Sequence, residues 1–165
     1  MDLTNPTHIG TRTNKIDITL EKNTKLISQN ISKFLSKGDV IYLIGELGVG
    51  KTTFVRFLIN YLQEKSNLQL TEIPSPTFNI VNEYKLKDHK IMHYDLYRIK
   101  NESELRDIGF FENDSDSILF IEWPEIIQKK PENLIKLTFN YEENLNKRNL
   151  IINTDCKKDL INEFK

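Results

Sequence analysis

Apolar positions along the chain follow two kinds of spacing, and their alternation predicts a layered α/β domain. Val40-Ile-Tyr-Leu-Ile44 and Ser117-Ile-Leu-Phe-Ile-Glu122 are nearly continuous apolar runs rich in β-branched residues, as expected of strands covered on both faces. Ile16 to Leu20 alternates and reads as a short strand. Thr24 is placed to cap a helix whose Ile27, Ile31, Phe34 and Leu35 recur at helical spacing up to Gly38. A second helix is predicted over 51–63, with Phe54, Val55, Leu58, Tyr61 and Leu62 on one side. Residues 79–86 and 90–97 read as a hairpin about Lys87-Asp88-His89, and 134–141 with 149–153 as another about a polar loop. Glu102 to Asp107 reads as one or two helical turns, and 155–165 as a terminal helix. Ile73-Pro-Ser-Pro76 excludes regular structure, because two prolines remove donors and restrict their neighbours. No internal repeat or dividing linker is present. Residues 15–165 therefore read as one domain, and the polar, unpatterned residues 1–14 as a flexible arm.

Composition narrows the functional classes. The 165 residues carry 23 Lys+Arg against 24 Asp+Glu, a net charge of −1, which excludes a strongly basic nucleic-acid surface but not a local patch. Cys156 is the single cysteine, so neither an internal disulfide nor a cysteine metal cluster is available, and a reducing cytoplasm is the expected setting. The N-terminus lacks the apolar core of a signal peptide, and no apolar run approaches the roughly 20 residues that cross a bilayer.

The chemistry starts at Gly45-Glu-Leu-Gly-Val-Gly50-Lys51-Thr52, which fits G-x-x-x-x-G-K-[ST]. Glycines let the backbone curl so that successive N–H groups form a nest for phosphate oxygens, and Gly50 removes a side chain where the chain passes a nucleotide. The helix that follows adds its free N–H groups and positive dipole end. Lys51 supplies a charge for the β- and γ-phosphates, and the Thr52 hydroxyl can ligate Mg²⁺. An ordinary glycine turn between strand and helix is the plainer alternative. The position of the motif, after a buried strand and opening an amphipathic helix, favours nucleotide binding.

A phosphate loop needs a further group to steady the metal, usually an acid at the end of a buried strand. Glu122 and Asp95 both end predicted strands, where an open α/β sheet gathers its ligand-binding residues. His93 alternates with Asp95 and should share its face, as a satisfied buried imidazole in preference to a metal ligand. Trp123, the only tryptophan, is equally suited to the core or to covering the site. Thr77, just past the proline segment, sits where a switch loop could reach a γ-phosphate or where a hydroxyl could cap a turn. Asn14-Lys15-Ile16-Asp17 imitates the guanine-reading N-K-x-D but lies upstream of the phosphate loop, so adenine is favoured by default.

Four ordered segments, GELGVGKTTF (45–54), SPTFNIVNEY (75–84), HYDLYRI (93–99) and IEWPE (121–125), together resemble the TsaE (YjeE) family, small ATPases of tRNA threonylcarbamoyladenosine synthesis. The resemblance runs from about residue 18 into the 140s and implies a P-loop fold with a central, mostly parallel sheet flanked by antiparallel strands. It implies ATP and Mg²⁺ binding across Gly45, Glu46, Leu47, Gly48, Val49, Gly50, Lys51, Thr52 and Thr53, with Lys51 on phosphate and Thr52 and Glu122 on the metal. Asp95 matches the family's essential aspartate, which orients the attacking water or a metal-bound one, Thr77 its switch-like threonine, and Trp123 the tryptophan beside the site. Glu21 and Arg148 match nucleotide-contacting positions. It further implies ATP hydrolysis, slow in isolation, on a TsaD–TsaB complex that modifies adenosine 37 of tRNA, the tRNA being met only through that complex. Two other classes compete: a small-molecule kinase, although the five arginines (12, 56, 98, 106 and 148) form no lid segment, and a nucleotide-dependent binding switch without turnover.

Overall fold

A computed structural model describes residues 12–112 and 115–165. The elements in chain order are β1 (Ile16–Asp17), α1 (Glu21–Ser32), β2 (Val40–Ile44), α2 (Lys51–Lys65), β3 (Val81–Lys85), β4 (Lys90–Asp95), α3 (Glu102–Asp107), β5 (Ser117–Glu122), β6 (Leu134–Glu142), β7 (Lys147–Thr154) and α4 (Lys158–Glu163), with 3-10 turns at Phe110–Glu112 and Pro124–Ile126. Seven strands form one sheet in the order β1-β7-β6-β2-β5-β4-β3. The central four are parallel, and β7, β1 and β3 join antiparallel at the margins. This is the layered α/β domain that the alternation of patterns predicts, with the central parallel and marginal antiparallel strands that the family resemblance implies.

Period-two alternation assigns each strand residue to a face. Ile41 and Leu43 of β2, Ile118 and Phe120 of β5, and Ile135, Leu137 and Phe139 of β6 pack with α1, α2 and α4 in one core. Phe54 of α2 meets Phe139 edge-on at 5.7 Å between ring centroids. Tyr42, Ile121 and Leu134 point the other way, toward Tyr94, Leu105 and Phe110. The face beneath α2 decides the site. Continuing down β4 and β5 from Ile91 and Ile118, the same face receives His93 and Asp95 from one strand and Phe120 and Glu122 from the other.

Several predicted boundaries move for identifiable reasons. The first strand spans only two residues, because Asp17 turns back to accept the Thr19 N–H at 2.8 Å, a bond that also holds the Asp17 carboxyl below its usual range. Thr24 is no cap. It lies inside α1 and donates to the Ile18 carbonyl, while Leu20 precedes the helix, which ends at Ser32 and not near Gly38. β4 stops at Asp95, whose carboxylate accepts the Tyr97 N–H and bends the chain out of the sheet. Ile80 has φ +68°, so β3 starts at Val81 and not at Asn79. Most of the expected arm, residues 1–11, lies outside the described residues. Arg12 bridges to Asn153 and Thr13 exchanges hydrogen bonds with Ile152, so the sheet edge begins ahead of Lys15. Lys15 itself pairs with Glu142. Among the described residues no helix is long and apolar enough to cross a membrane.

Candidate nucleotide site

The loop after β2 is shaped by its glycines. Gly45 has φ +148°, and a Cβ there would lie 2.5 Å from the Phe139 carbonyl oxygen, so only glycine passes between β6 and the loop. Gly50 has φ +116°, and beyond its chain neighbours no atom of the described residues lies within 4 Å of where a Cβ would stand. Its glycine is required by backbone conformation, and that side of the loop is open. Gly50 is also the N-cap of α2, with no side-chain cap among the described residues and no acid in the first turn, so the helix presents uncapped N–H groups and its positive end to the loop. Val49 is buried in the core, so the loop's concave side meets Val49 only through its backbone.

A cleft of about 170 Å³ lies against the loop, with Lys51, Thr52 and Thr53 on one side and Ser75, Thr77, Asp95, Glu122 and Trp123 on the other. Lys51 is 4 % exposed, donates to the carbonyls of Gly45 (2.7 Å) and Glu46 (2.9 Å), and stands 4.5 Å from the centre of the Trp123 ring. Burial holds its pKa below the usual lysine range, opposed by the nearby carboxylates of Glu122, Asp95 and Glu125. Trp123 itself adopts φ +57° and packs on Tyr97 at 5.0 Å, so it covers the site and does not sit in the core.

The two acids are adjacent in register, Asp95 opposite Glu122 across β4 and β5. Glu122 is 4 % exposed, and its Oε1 accepts from Thr52 Oγ1 at 2.9 Å and lies 3.0 Å from His93 Nε2. Thr77 Oγ1 donates its one hydrogen to Asp95 Oδ2 at 2.7 Å, so Ser75, whose Oγ is 2.7 Å from Thr77 Oγ1, is the donor in that second bond. A directed chain thus runs from Ser75 through Thr77 to Asp95. Arg98 donates to the Phe78 carbonyl and ties down the far end of the same loop.

Beside this cleft, a recess of about 440 Å³ is lined by Glu21, Thr24, Gly48, Gly50, Thr53, Arg56 and Arg148. Glu21 and Arg148, far apart in sequence, are therefore brought to one recess on the other flank of the loop. Arg148 stacks 5.5 Å from the Tyr141 ring. The exposed Glu46 contributes its carbonyl to Lys51, and Leu47 is exposed at the loop tip, lining the smaller cleft. Sequence reasoning missed Ser75, Tyr97 and the contact of His93 with Glu122. The residue pattern of the proline segment marks Ser75 only as loop, and the diagonal reach of His93 depends on the register of β4 on β5.

Three comparisons bear on this arrangement. The family described as threonylcarbamoyl adenosine biosynthesis protein TsaE matches residues 18–150. A "tRNA threonylcarbamoyladenosine biosynthesis protein TsaE" from Rickettsia conorii is 40% identical over 108 residues, 66% of this chain, and the chain spans only 59% of that relative's length. A protein of the same name from Haemophilus influenzae is 35% identical over 130 residues, 78% of this chain and 79% of its own. A solved structure described as "Crystal structure of Bacillus subtilus YdiB" shares the fold with a TM-score of 0.68 at 22% identity, over 96% of this chain and 97% of that one.

Proposed function

The chain belongs to the TsaE family, and we propose on that basis that it takes part in tRNA threonylcarbamoyladenosine synthesis as a Mg²⁺-dependent, ATP-hydrolysing cytoplasmic subunit acting on a TsaD–TsaB complex. The observation that carries the ATPase reading is one junction: the uncapped start of α2, with Lys51 beside it and the Thr52 hydroxyl 2.9 Å from the Glu122 carboxylate. That junction suits a phosphate chain on the loop side and a hard cation on the acidic side.

The donor set fits magnesium. Among the described residues no group of three or more His, Cys, Asp or Glu forms a metal cage. Magnesium does not need one, since it retains several waters and is held by one or two protein oxygens together with phosphate. Thr52 and Glu122 would hold it, and when bound it would neutralise charge developing on the phosphates. Lys51 supplies a fixed ammonium to the same oxygens. Asp95 accepts from Thr77 on one oxygen and from the Tyr97 N–H on the other. Its carboxylate is thereby oriented to hold a water for attack, and the Ser75–Thr77 chain orients it further. Glu21 and Arg148 flank the recess that suits the nucleoside end. No arginine lines the phosphate cleft among the described residues, which disfavours a kinase that clamps a migrating phosphoryl group.

Phosphate release from ATP, measured with and without TsaD and TsaB, tests the reading. Magnesium-dependent release that rises on adding the partners is the expected result. Phosphate recovered on a metabolite would replace the ATPase with a kinase, and tight ATP binding with no release in either condition would replace it with a switch.

A further inference from the structure

We propose that His93 is a positioning residue that sets the conformation of the Glu122 carboxylate and through it the affinity for the divalent cation. His93 is fully buried on the face of β4 beneath α2 and does not line the phosphate cleft. Its Nε2 reaches diagonally across to Oε1 of Glu122 at 3.0 Å. The same oxygen already accepts the Thr52 hydroxyl. A carboxylate only accepts, so the imidazole donates through Nε2–H. Two donors converging on Oε1 fix the plane of the carboxylate and leave Oε2 as the oxygen that neither engages.

The arrangement has a cost that a purely structural residue would avoid. With the Nε2 proton committed to Glu122, Nδ1 is buried without a partner among the described residues. An unmet buried polar atom of this kind is destabilising, whereas an apolar side chain of similar volume would cost nothing on that account. Among the described residues, the donation to Glu122 is the polar contact of the ring that offsets it. An outer partner that orients a ligating carboxylate is a known lever on metal affinity. Nothing in the local strand pattern requires it, since Ile91 two residues earlier fills the same face with an alkyl group.

The inference rests on the assignment of Glu122 to magnesium, and the test separates the two. Trp123, the sole tryptophan and the neighbour of Glu122, gives a fluorescence signal independent of turnover. The full chain is titrated with Mg²⁺ in the presence of a non-hydrolysable ATP analogue, and hydrolysis is followed separately with TsaD and TsaB. His93→Leu should raise the half-saturating Mg²⁺ concentration about tenfold, while His93→Gln, which restores an N–H donor, should stay within about threefold of the parent. Analogue affinity without Mg²⁺ and the rate at saturating Mg²⁺ should hardly change. A parent with no response to Mg²⁺ would overturn the metal assignment, and this inference with it. A responsive parent whose curve His93→Leu overlays, or a Gln variant as impaired as Leu, would overturn the role of His93 alone. Should His93→Leu not fold, as judged by its melting curve, His93→Asn takes its place. Its shorter amide cannot reach Oε1, so a Mg²⁺ curve matching that of the Gln variant would overturn the proposal.

Discussion

The two walls of the cleft against the Gly45–Thr53 loop are built in opposite ways. The loop wall, Gly45 to Thr53, is one uninterrupted stretch whose shape comes from backbone torsions: positive φ at Gly45, Gly48 and Gly50 and the uncapped first turn of α2. The acidic wall comes from three separate segments, Ser75–Thr77, Asp95 and Glu122, with His93 behind it. Its shape comes from side-chain hydrogen bonds, Ser75 to Thr77, Thr77 to Asp95 and His93 to Glu122, the last of which depends on the register in which β4 and β5 pair. The contiguous wall is local and stiff. The assembled wall depends on distant pairing, and its members are held in two hydrogen-bonded sets, Ser75–Thr77–Asp95 and Thr52–Glu122–His93, so loss of one member should alter chemistry more than stability.

That contrast can be broken at graded depths. Gly45→Ala acts on the loop wall through the backbone. The added Cβ collides with the Phe139 carbonyl in a left-handed conformation, and a loss of about 3 kcal/mol is expected in urea unfolding. An unchanged midpoint would show that the loop is not the stiff element described. Lys51→Ala removes the ammonium and should weaken ATP binding about thirtyfold, or about 2 kcal/mol, in an equilibrium titration. Because burial lowers the Lys51 pKa, the parent's affinity should decline with rising pH before an ordinary lysine titrates, and the alanine variant should lack that decline. The stability contribution of the same group runs the other way. The unfolded chain binds more protons than the folded one just below the usual lysine pKa, so this contribution rises with pH in that window. Glu122→Gln acts on the assembled wall, replacing a charged acceptor by a neutral one of equal size. It should shift the Mg²⁺ requirement about tenfold while leaving the melting temperature within about two degrees. A large drop in melting temperature would mean that the acidic wall also carries the fold.

Legibility in the sequence follows the same division. β2, β5 and the start of α2 are legible from apolar runs and from the glycine motif, and α3 from its helical turn spacing, because covered strands, short helical turns and torsion-defined loops are properties of neighbouring residues. Asp95 and Glu122 are legible as acids ending strands. Their shared site is not, since adjacency is a matter of strand order. Thr24 misleads as a cap because a threonine ahead of an apolar helical pattern looks the same whether it bonds the helix start or, as here, the Ile18 carbonyl. His93 is legible as buried but not as the donor to Glu122.

What the chain specifies by itself is the set of local conformations: which segments extend, which coil, and where three glycines bend the backbone at the start of α2. The tertiary structure alone decided that β4 lies beside β5, so that carboxylates 27 positions apart and an imidazole share one edge of that bend. Torsional preferences act over a few residues, whereas strand partners are chosen by the burial of whole faces, a sum over the entire sheet that no single segment contains.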